Sequence, residues 1–85
     1  MIKIWAKVLK EHKIIKSYVY EEFATMDWSR FPDVVMDICG ELDIPTPVII
    51  KTHIFNYAKF RTVKFKADDF VESVDFDTLV LENQL

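Results

Sequence analysis

The sequence predicts an α+β fold, a small two-layer domain in which one principal helix packs on one face of a mainly antiparallel sheet of about four strands. Three observations support this prediction. Apolar residues recur at helical spacing in residues 29–43, several other segments alternate with period two, and one glycine and three prolines are all that interrupt the chain. A length of 85 residues predicts a single domain, residues 1–85.

The principal helix, predicted over residues 29–43, has a signal at each end. Asp27 and Ser29 are good N-cap residues, and Pro45 and Pro47 stop the helix a few residues before them. The apolar stripe needs a surface to cover, which we expect the strands to supply. The residues of the stripe are Phe31, Val34, Val35, Ile38 and Leu42.

The first 22 residues predict a β-hairpin. Residues 2–9 alternate as in a strand, although their spacing also fits a basic amphipathic helix on a membrane surface. Residues 14–22 are rich in β-branched and aromatic side chains, which favours the hairpin. No glycine or asparagine marks the turn.

A turn at His12 and Lys13 sets the predicted register of the hairpin. It places Trp5 opposite Tyr20 on an outer face, with Ala6 opposite Val19 on the core face. A slip of one residue would exchange the two faces. The predicted core face carries Ile2, Ile4, Ala6, Val8, Ile15 and Val19, and the predicted outer face carries Lys3, Trp5, Lys7, Lys16, Tyr18 and Tyr20.

The second half of the chain predicts shorter elements. Val48–Thr52 has the composition of a short buried strand, and residues 53–60 favour a second short helix, with a continued strand as the alternative. Residues 62–66 alternate again. Phe76–Glu82 predicts the final strand. Within these segments we expect Val63, Phe65, Phe70 and Val71 to face or close the core and Asp68 to cap a turn.

Composition and charge exclude several classes of function. One glycine leaves no room for a phosphate-binding loop or a dinucleotide fingerprint. Lysine and arginine concentrate in residues 1–16 and 51–66 and acids elsewhere, and this alternation favours pairing between neighbouring strands over a patch for a polyanion. A lone cysteine, no secretory signal and no long apolar run predict a cytoplasmic protein that does not enter a membrane. Its small size and simple layout suggest a bacterial origin.

The sequence offers no catalytic constellation. His12 lies in a predicted turn and His53 follows a predicted strand, where structural histidines are common. Cys39 lies beside the apolar stripe and is expected to behave as a small hydrophobe. The acidic residues between 68 and 77 lack the glycine and spacing of a calcium loop. We therefore expect no enzyme activity, no cofactor and no metal.

The candidate binding residues are those of the predicted outer face: Lys3, Trp5, Lys7, Tyr18 and Tyr20. Aromatic residues of this kind anchor protein interfaces, which predicts a protein-interaction or self-associating domain whose partner is another protein chain or a second copy. The alternative is a module for single-stranded nucleic acid, because aromatic and lysine side chains on a sheet can stack bases and hold phosphates. A third explanation is that the chain's own C-terminal segment covers this face.

Overall fold

The computed structural model describes residues 1–85 and confirms the predicted α+β fold. Two helices lie on one face of a four-stranded antiparallel sheet with strand order β2-β1-β4-β3. One core of 17 buried residues lies between the sheet and the helices. Both helices and all strands except the edge strand β2 contribute to it. The elements are β1 (Ile2–Lys10), β2 (Lys13–Glu22), α1 (Phe31–Leu42), α2 (Lys51–Phe60), β3 (Thr62–Lys66) and β4 (Thr78–Asn83).

The principal helix forms as predicted. The side chain of Asp27 accepts hydrogen bonds from the Ser29 N–H at 3.0 Å and the Ser29 hydroxyl at 2.8 Å, which fixes a single 3-10 turn ahead of α1. The helix ends at Leu42, and the next residue, Asp43, has a φ of 56°, the left-handed conformation that terminates helices. All five residues of the predicted stripe are buried, together with Cys39.

The hairpin is confirmed, but its predicted register is wrong by one residue. The turn consists of Glu11 and His12, with φ values of 53° and 66°, so it begins one residue earlier than predicted. A β-bulge follows, because Leu9 pairs with Ile14 whereas Val8 pairs with Lys16. The earlier turn changes which residues pair but not the faces, whereas the extra residue of the bulge reverses the side of the sheet on which the later residues of β2 lie.

The segment before the second helix is not the predicted strand. Val48–Thr52 was expected to be a buried strand, but its first three residues are irregular and α2 begins at Lys51. Residues 44–50, which include Pro45 and Pro47, have no regular secondary structure. The His53 ring then starts the helix, since its Nδ1 accepts a hydrogen bond from the Ile50 N–H at 3.1 Å.

The C-terminal elements mostly follow the alternation. Val63 and Phe65 are buried as predicted, while the last strand begins two residues later than expected, at Thr78. The 67–69 turn is capped by Asp69, which accepts from the Lys66 N–H at 2.8 Å, and not by Asp68. Phe70 closes the core at 5.2 Å from the Phe76 ring. Val71, expected beside it, is exposed.

Candidate functional site

The structure divides the sequence-predicted site residues between the two faces of the sheet. Lys3, Trp5 and Lys7 lie on the outer face, which no helix covers. Tyr18 and Tyr20 lie on the helix face, because they pair with Ala6 and Ile4 of the buried row. The predicted contact between Trp5 and Tyr20 is therefore wrong: Trp5 pairs with Val19. Ile15 and Val19, assigned to the core, are 46% and 44% exposed.

The outer face carries one aromatic residue within a frame of charges. The Lys7 ammonium lies 4.2 Å from the centre of the Trp5 ring and 3.3 Å from the Glu82 carboxylate. Beneath these side chains Val80 is only 7% exposed, although it lies outside the core cluster. The long side chains of this face thus cover their own apolar floor, as lysine stems commonly do.

The free edge of the sheet at β2 has unpaired backbone groups at identifiable positions. The carbonyls of Lys3 and Leu9 accept hydrogen bonds from Gln84 and Asp77 on the β4 side, each at 2.9 Å. Successive residues of a strand direct their backbone groups to opposite sides, so the even-numbered residues of β1 bond to β2. Their partners in β2 are also even-numbered, from Lys16 to Glu22. The N–H and C=O groups that face away from the sheet therefore belong to Ser17, Val19 and Glu21.

The two edges of the sheet differ strongly. β2 has ten residues, most of them exposed, and Ile14, Ile15 and Val19 expose about half of their surface. β3, at the other edge, has five residues, and its exposed positions include Lys64 and Lys66. Short, lysine-bearing edge strands resist pairing with other chains, whereas long strands with exposed aliphatic residues favour it. Of the two edges, β2 is the one open to a further strand.

A groove runs between this free edge and α1. Its volume is about 430 Å³, and it is lined by Tyr18, Tyr20, Met36, Asp37, Gly40 and Glu41. The two tyrosines of β2 form its floor, and one exposed side of α1 forms its wall. Asp37 and Glu41, one helical turn apart, form no ion pair. The groove therefore combines an aromatic floor with two uncompensated carboxylates.

One end of the groove is fixed by a network of charged hydrogen bonds. Tyr20 Oη donates to the Glu22 carboxylate at 2.9 Å, and Arg30 donates to the same carboxylate at 3.0 Å. Burial and then the bond to Glu22 raise the pKa of Tyr20, while the hydrogen bonds from Tyr20 and Arg30 lower the pKa of Glu22. The phenol thus remains a donor and the carboxylate an acceptor at neutral pH, which holds Tyr20 in the groove floor.

The other end is fixed by Lys16. Its ammonium donates to the carbonyl oxygen of Leu42 at 3.0 Å and lies 3.5 Å from that of Asp43. These carbonyls end α1 and carry the negative end of the helix dipole, which a cation stabilises. Lys16 thereby ties the start of β2 to the end of α1.

Gly40 lies on the exposed side of α1, where the fold does not require a glycine. It has no positive φ, and a Cβ atom built on it would meet nothing within 4 Å. A glycine in a helix costs about 0.5–1 kcal/mol relative to alanine. The only glycine of the chain therefore destabilises its helix and leaves open space beside the floor of the groove.

Three other reactive side chains, those of His53, Cys39 and Tyr57, are engaged in packing. His53 is nearly buried, lies 4.5 Å from the Phe65 ring and caps α2. Burial raises the pKa of the Cys39 thiol to about 11 and that of Tyr57 to about 12. The Tyr57 hydroxyl is buried without a hydrogen-bond partner. No group of three metal-ligating side chains converges in the structure.

Sequence reasoning missed the groove because it placed the tyrosines on the opposite face. Asp37 and Glu41 lie on the side of the helix away from the predicted stripe, and nothing in the sequence indicated that this side borders β2. The one available signal was Gly40, a residue unfavourable in a helix that occupies a position with no turn to form.

Comparison of the chain with protein-family models, with curated protein sequences and with solved structures finds no match. Neither helix of the structure has the length and apolar character needed to cross a membrane.

Proposed function

We propose that this chain is a cytoplasmic protein-interaction domain that accepts a strand of another polypeptide along the free edge of β2. The observation that carries the proposal is the outward direction of the backbone groups of Ser17, Val19 and Glu21, in a ten-residue edge strand. Strand addition uses such groups for affinity and the flanking side chains for specificity. The partner is a different protein or a second copy, and the interaction involves no catalysis.

Exposed aliphatic side chains support the proposal. Ile14 and Val19 lie on the outer side of β2 and are 50% and 44% exposed. An added strand would cover them in part, and burial of apolar surface contributes about 25 cal/mol per Å². An edge strand with several exposed aliphatic residues is unusual in a monomeric protein, because such an edge favours aggregation.

Substitution of the edge tests the proposal. Val19→Pro removes an N–H that points away from the sheet, so the pairing with β1 is kept while pairing with an added strand is blocked. The matched control is Val19→Thr, which keeps the N–H and a β-branched side chain. A displayed library of random twelve-residue peptides is selected on the wild-type protein, and the retained peptides are then measured on both variants.

We expect the selected peptides to bind the wild type and Val19→Thr alike and to lose at least about tenfold in affinity for Val19→Pro. Circular dichroism and a urea melt establish that Val19→Pro is folded. Equal binding to the two variants, or a library that yields no binder to the wild type, would contradict strand addition at this edge. Sedimentation of the protein alone at micromolar and near-millimolar concentrations separates a second copy from a different partner.

Binding of single-stranded nucleic acid to the outer face is the second candidate. It is favoured by four lysines on that face, two from β1 and two from β3, around the half-buried Trp5. With the tyrosines on the helix face, Trp5 is left as the one aromatic platform for a base. Titration of a Trp28→Phe variant with oligothymidine should then quench Trp5, and the affinity should fall steeply with salt. No quenching at low salt would exclude this candidate.

A further inference from the structure

We infer that the strand added to β2 carries arginine or lysine at the alternate positions that enter the groove beside α1, and that it comes from a different protein. The inference rests on the proposed function, since it names the partner chemistry for the same edge. Its observations are the aromatic floor at Tyr18 and Tyr20 and the unpaired carboxylates of Asp37 and Glu41.

The geometry of the ladder selects which partner residues enter the groove. An added antiparallel strand bonds to Ser17, Val19 and Glu21, and its residues opposite these point to the outer face. Its residues opposite Tyr18 and Tyr20 form the non-hydrogen-bonded pairs, in which the Cα atoms approach to about 4.5 Å and the side chains lie closest. Those residues point to the same face as the tyrosines and so towards α1.

The chemistry of the groove favours a planar cation at these positions. A guanidinium can stack on a tyrosine ring and can donate two parallel N–H hydrogen bonds to the two oxygens of a carboxylate. Each partner side chain that enters would meet a ring from the floor and the acidic wall made by Asp37 and Glu41. Gly40 lies between these two acids along the helix, and its missing side chain leaves space for a long side chain to pass.

A second copy of the chain fits the groove less well. Antiparallel pairing of two β2 strands would set the basic start of one against the acidic end of the other, which is favourable. However, Lys16 is already bound to the carbonyl of Leu42 and Glu22 to Arg30. The pairing would also place two α1 helices on the same side of the joined sheet, each with Asp37 and Glu41 and without a cation between them. Like charges in this arrangement oppose association.

The test uses a designed probe, two groove variants and one control variant. The probe is a fluorescent ten-residue peptide of alternating arginine and threonine, and its neutral control replaces each arginine with citrulline. Gly40→Leu fills the groove from the helix side and leaves the sequence of β2 unchanged. Asp37→Asn with Glu41→Gln removes the two charges of the wall, and Asp33→Asn is the control for loss of a charge elsewhere on the same helix.

We expect the arginine peptide to bind the wild type at low salt and the citrulline peptide to bind at least about tenfold more weakly. Gly40→Leu and the Asp37/Glu41 double variant should each lower the affinity for the arginine peptide by about tenfold or more, whereas Asp33→Asn should change it less than about threefold. Gly40→Leu is not expected to unfold the protein, because a Cβ atom at this exposed helix position meets nothing within 4 Å; a urea melt verifies this.

Three outcomes would overturn the inference. The first is that the arginine peptide does not bind the wild type, and the second is that it binds equally to the groove variants. The third is concentration-dependent self-association that Val19→Pro abolishes, because the occupant would then be a second copy. The Val19→Pro comparison tests the proposed function independently of these outcomes. Strand addition at β2 is supported if library peptides, or a second copy, bind Val19→Pro more weakly than the wild type. It is refuted if they bind both equally.

Discussion

Gly40→Ala is expected to stabilise the folded protein while it narrows the candidate binding groove. The residue lies in the last turn of α1 with an ordinary helical conformation, and a Cβ atom would meet nothing within 4 Å. The substitution therefore adds no clash and removes the backbone freedom that glycine has in the unfolded chain. From the difference between glycine and alanine in helices, the free energy of unfolding should rise by about 0.5–1 kcal/mol.

The measurement is a urea melt followed by circular dichroism. A denaturant slope near the lower end of the usual range, about 1 kcal/mol per molar, converts this gain into a midpoint rise of about 0.5–1 M. The melting temperature of a domain this small should rise by about 2–8 °C. Met36→Ala is the matched control, since Met36 is exposed on the same wall of the groove and should alter stability by less than about 0.5 kcal/mol.

A midpoint lower than that of the wild type would refute the reasoning, because it would show that the space beside Gly40 is filled in the folded protein. A midpoint that rises as expected would show that Gly40 destabilises its own helix without stabilising any other part of the fold. Binding would then be a reason for the glycine to be there, as stability is commonly given up at sites of function.

The remaining predictions concern the core and its titration. Ile38→Ala should lower the free energy of unfolding by about 2–4 kcal/mol and Asp37→Ala by less than about 0.5 kcal/mol, so equal urea midpoints for the two would show that the helix face is wrongly assigned. Tyr57→Phe should leave stability unchanged or raise it by about 1 kcal/mol, because it removes a buried hydroxyl that has no partner; a clear loss in a thermal melt would indicate a partner for that hydroxyl. Burial raises the pKa of Cys39 to about 11 and of Tyr57 to about 12. The unfolded chain therefore loses these protons first, and stability that is complete below about pH 8 should fall as the pH rises towards 12. Urea midpoints from pH 7 to 11 measure this fall, and a Cys39→Ala, Tyr57→Phe double variant should flatten it.

The helix and its buried stripe could be predicted because one physical signal determines both. A run such as Val34, Val35 and Ile38 fits only one side of a 3.6-residue period, and all three are buried. The alternation of β1 is similarly direct, since Ile4 and Ala6 are fully buried as predicted. Where apolar residues recur with a strong period, only one face of the element can be buried, and the sequence predicts which face it is.

The start of α2 could not be predicted from its composition. Val48–Thr52 is rich in β-branched residues, which favour strands, but the chain there is governed by local bonds. The Val48 N–H donates to the Asp69 carbonyl at 2.8 Å, and His53 accepts from the Ile50 N–H at the helix start. A side-chain acceptor at the third helical position is a known start signal, although glutamate or glutamine usually supplies it.

The register of the hairpin could not be predicted for a different reason: its turn is formed by residues that are unusual in such turns. Glu11 and His12 adopt left-handed conformations that glycine or asparagine would mark in a sequence. The bulge at Ile14 and Ile15 carries no glycine either. Two irregularities without a sequence signal therefore set the register of β2, and the bulge decides on which face its later residues lie.

The bulge also bears on the order in which we propose the two functions. With the observed turn and no bulge, Trp5 would pair with Tyr18, and both tyrosines would join Trp5 and the lysines on the outer face, which is the platform that stacks nucleic-acid bases. The extra residue of the bulge instead moves the tyrosines beneath α1. There they give the free edge of β2 an aromatic floor, next to the acids of the helix. The outer face therefore lacks the row of aromatic residues on which bases stack, and for this reason we place strand addition first among the two proposals.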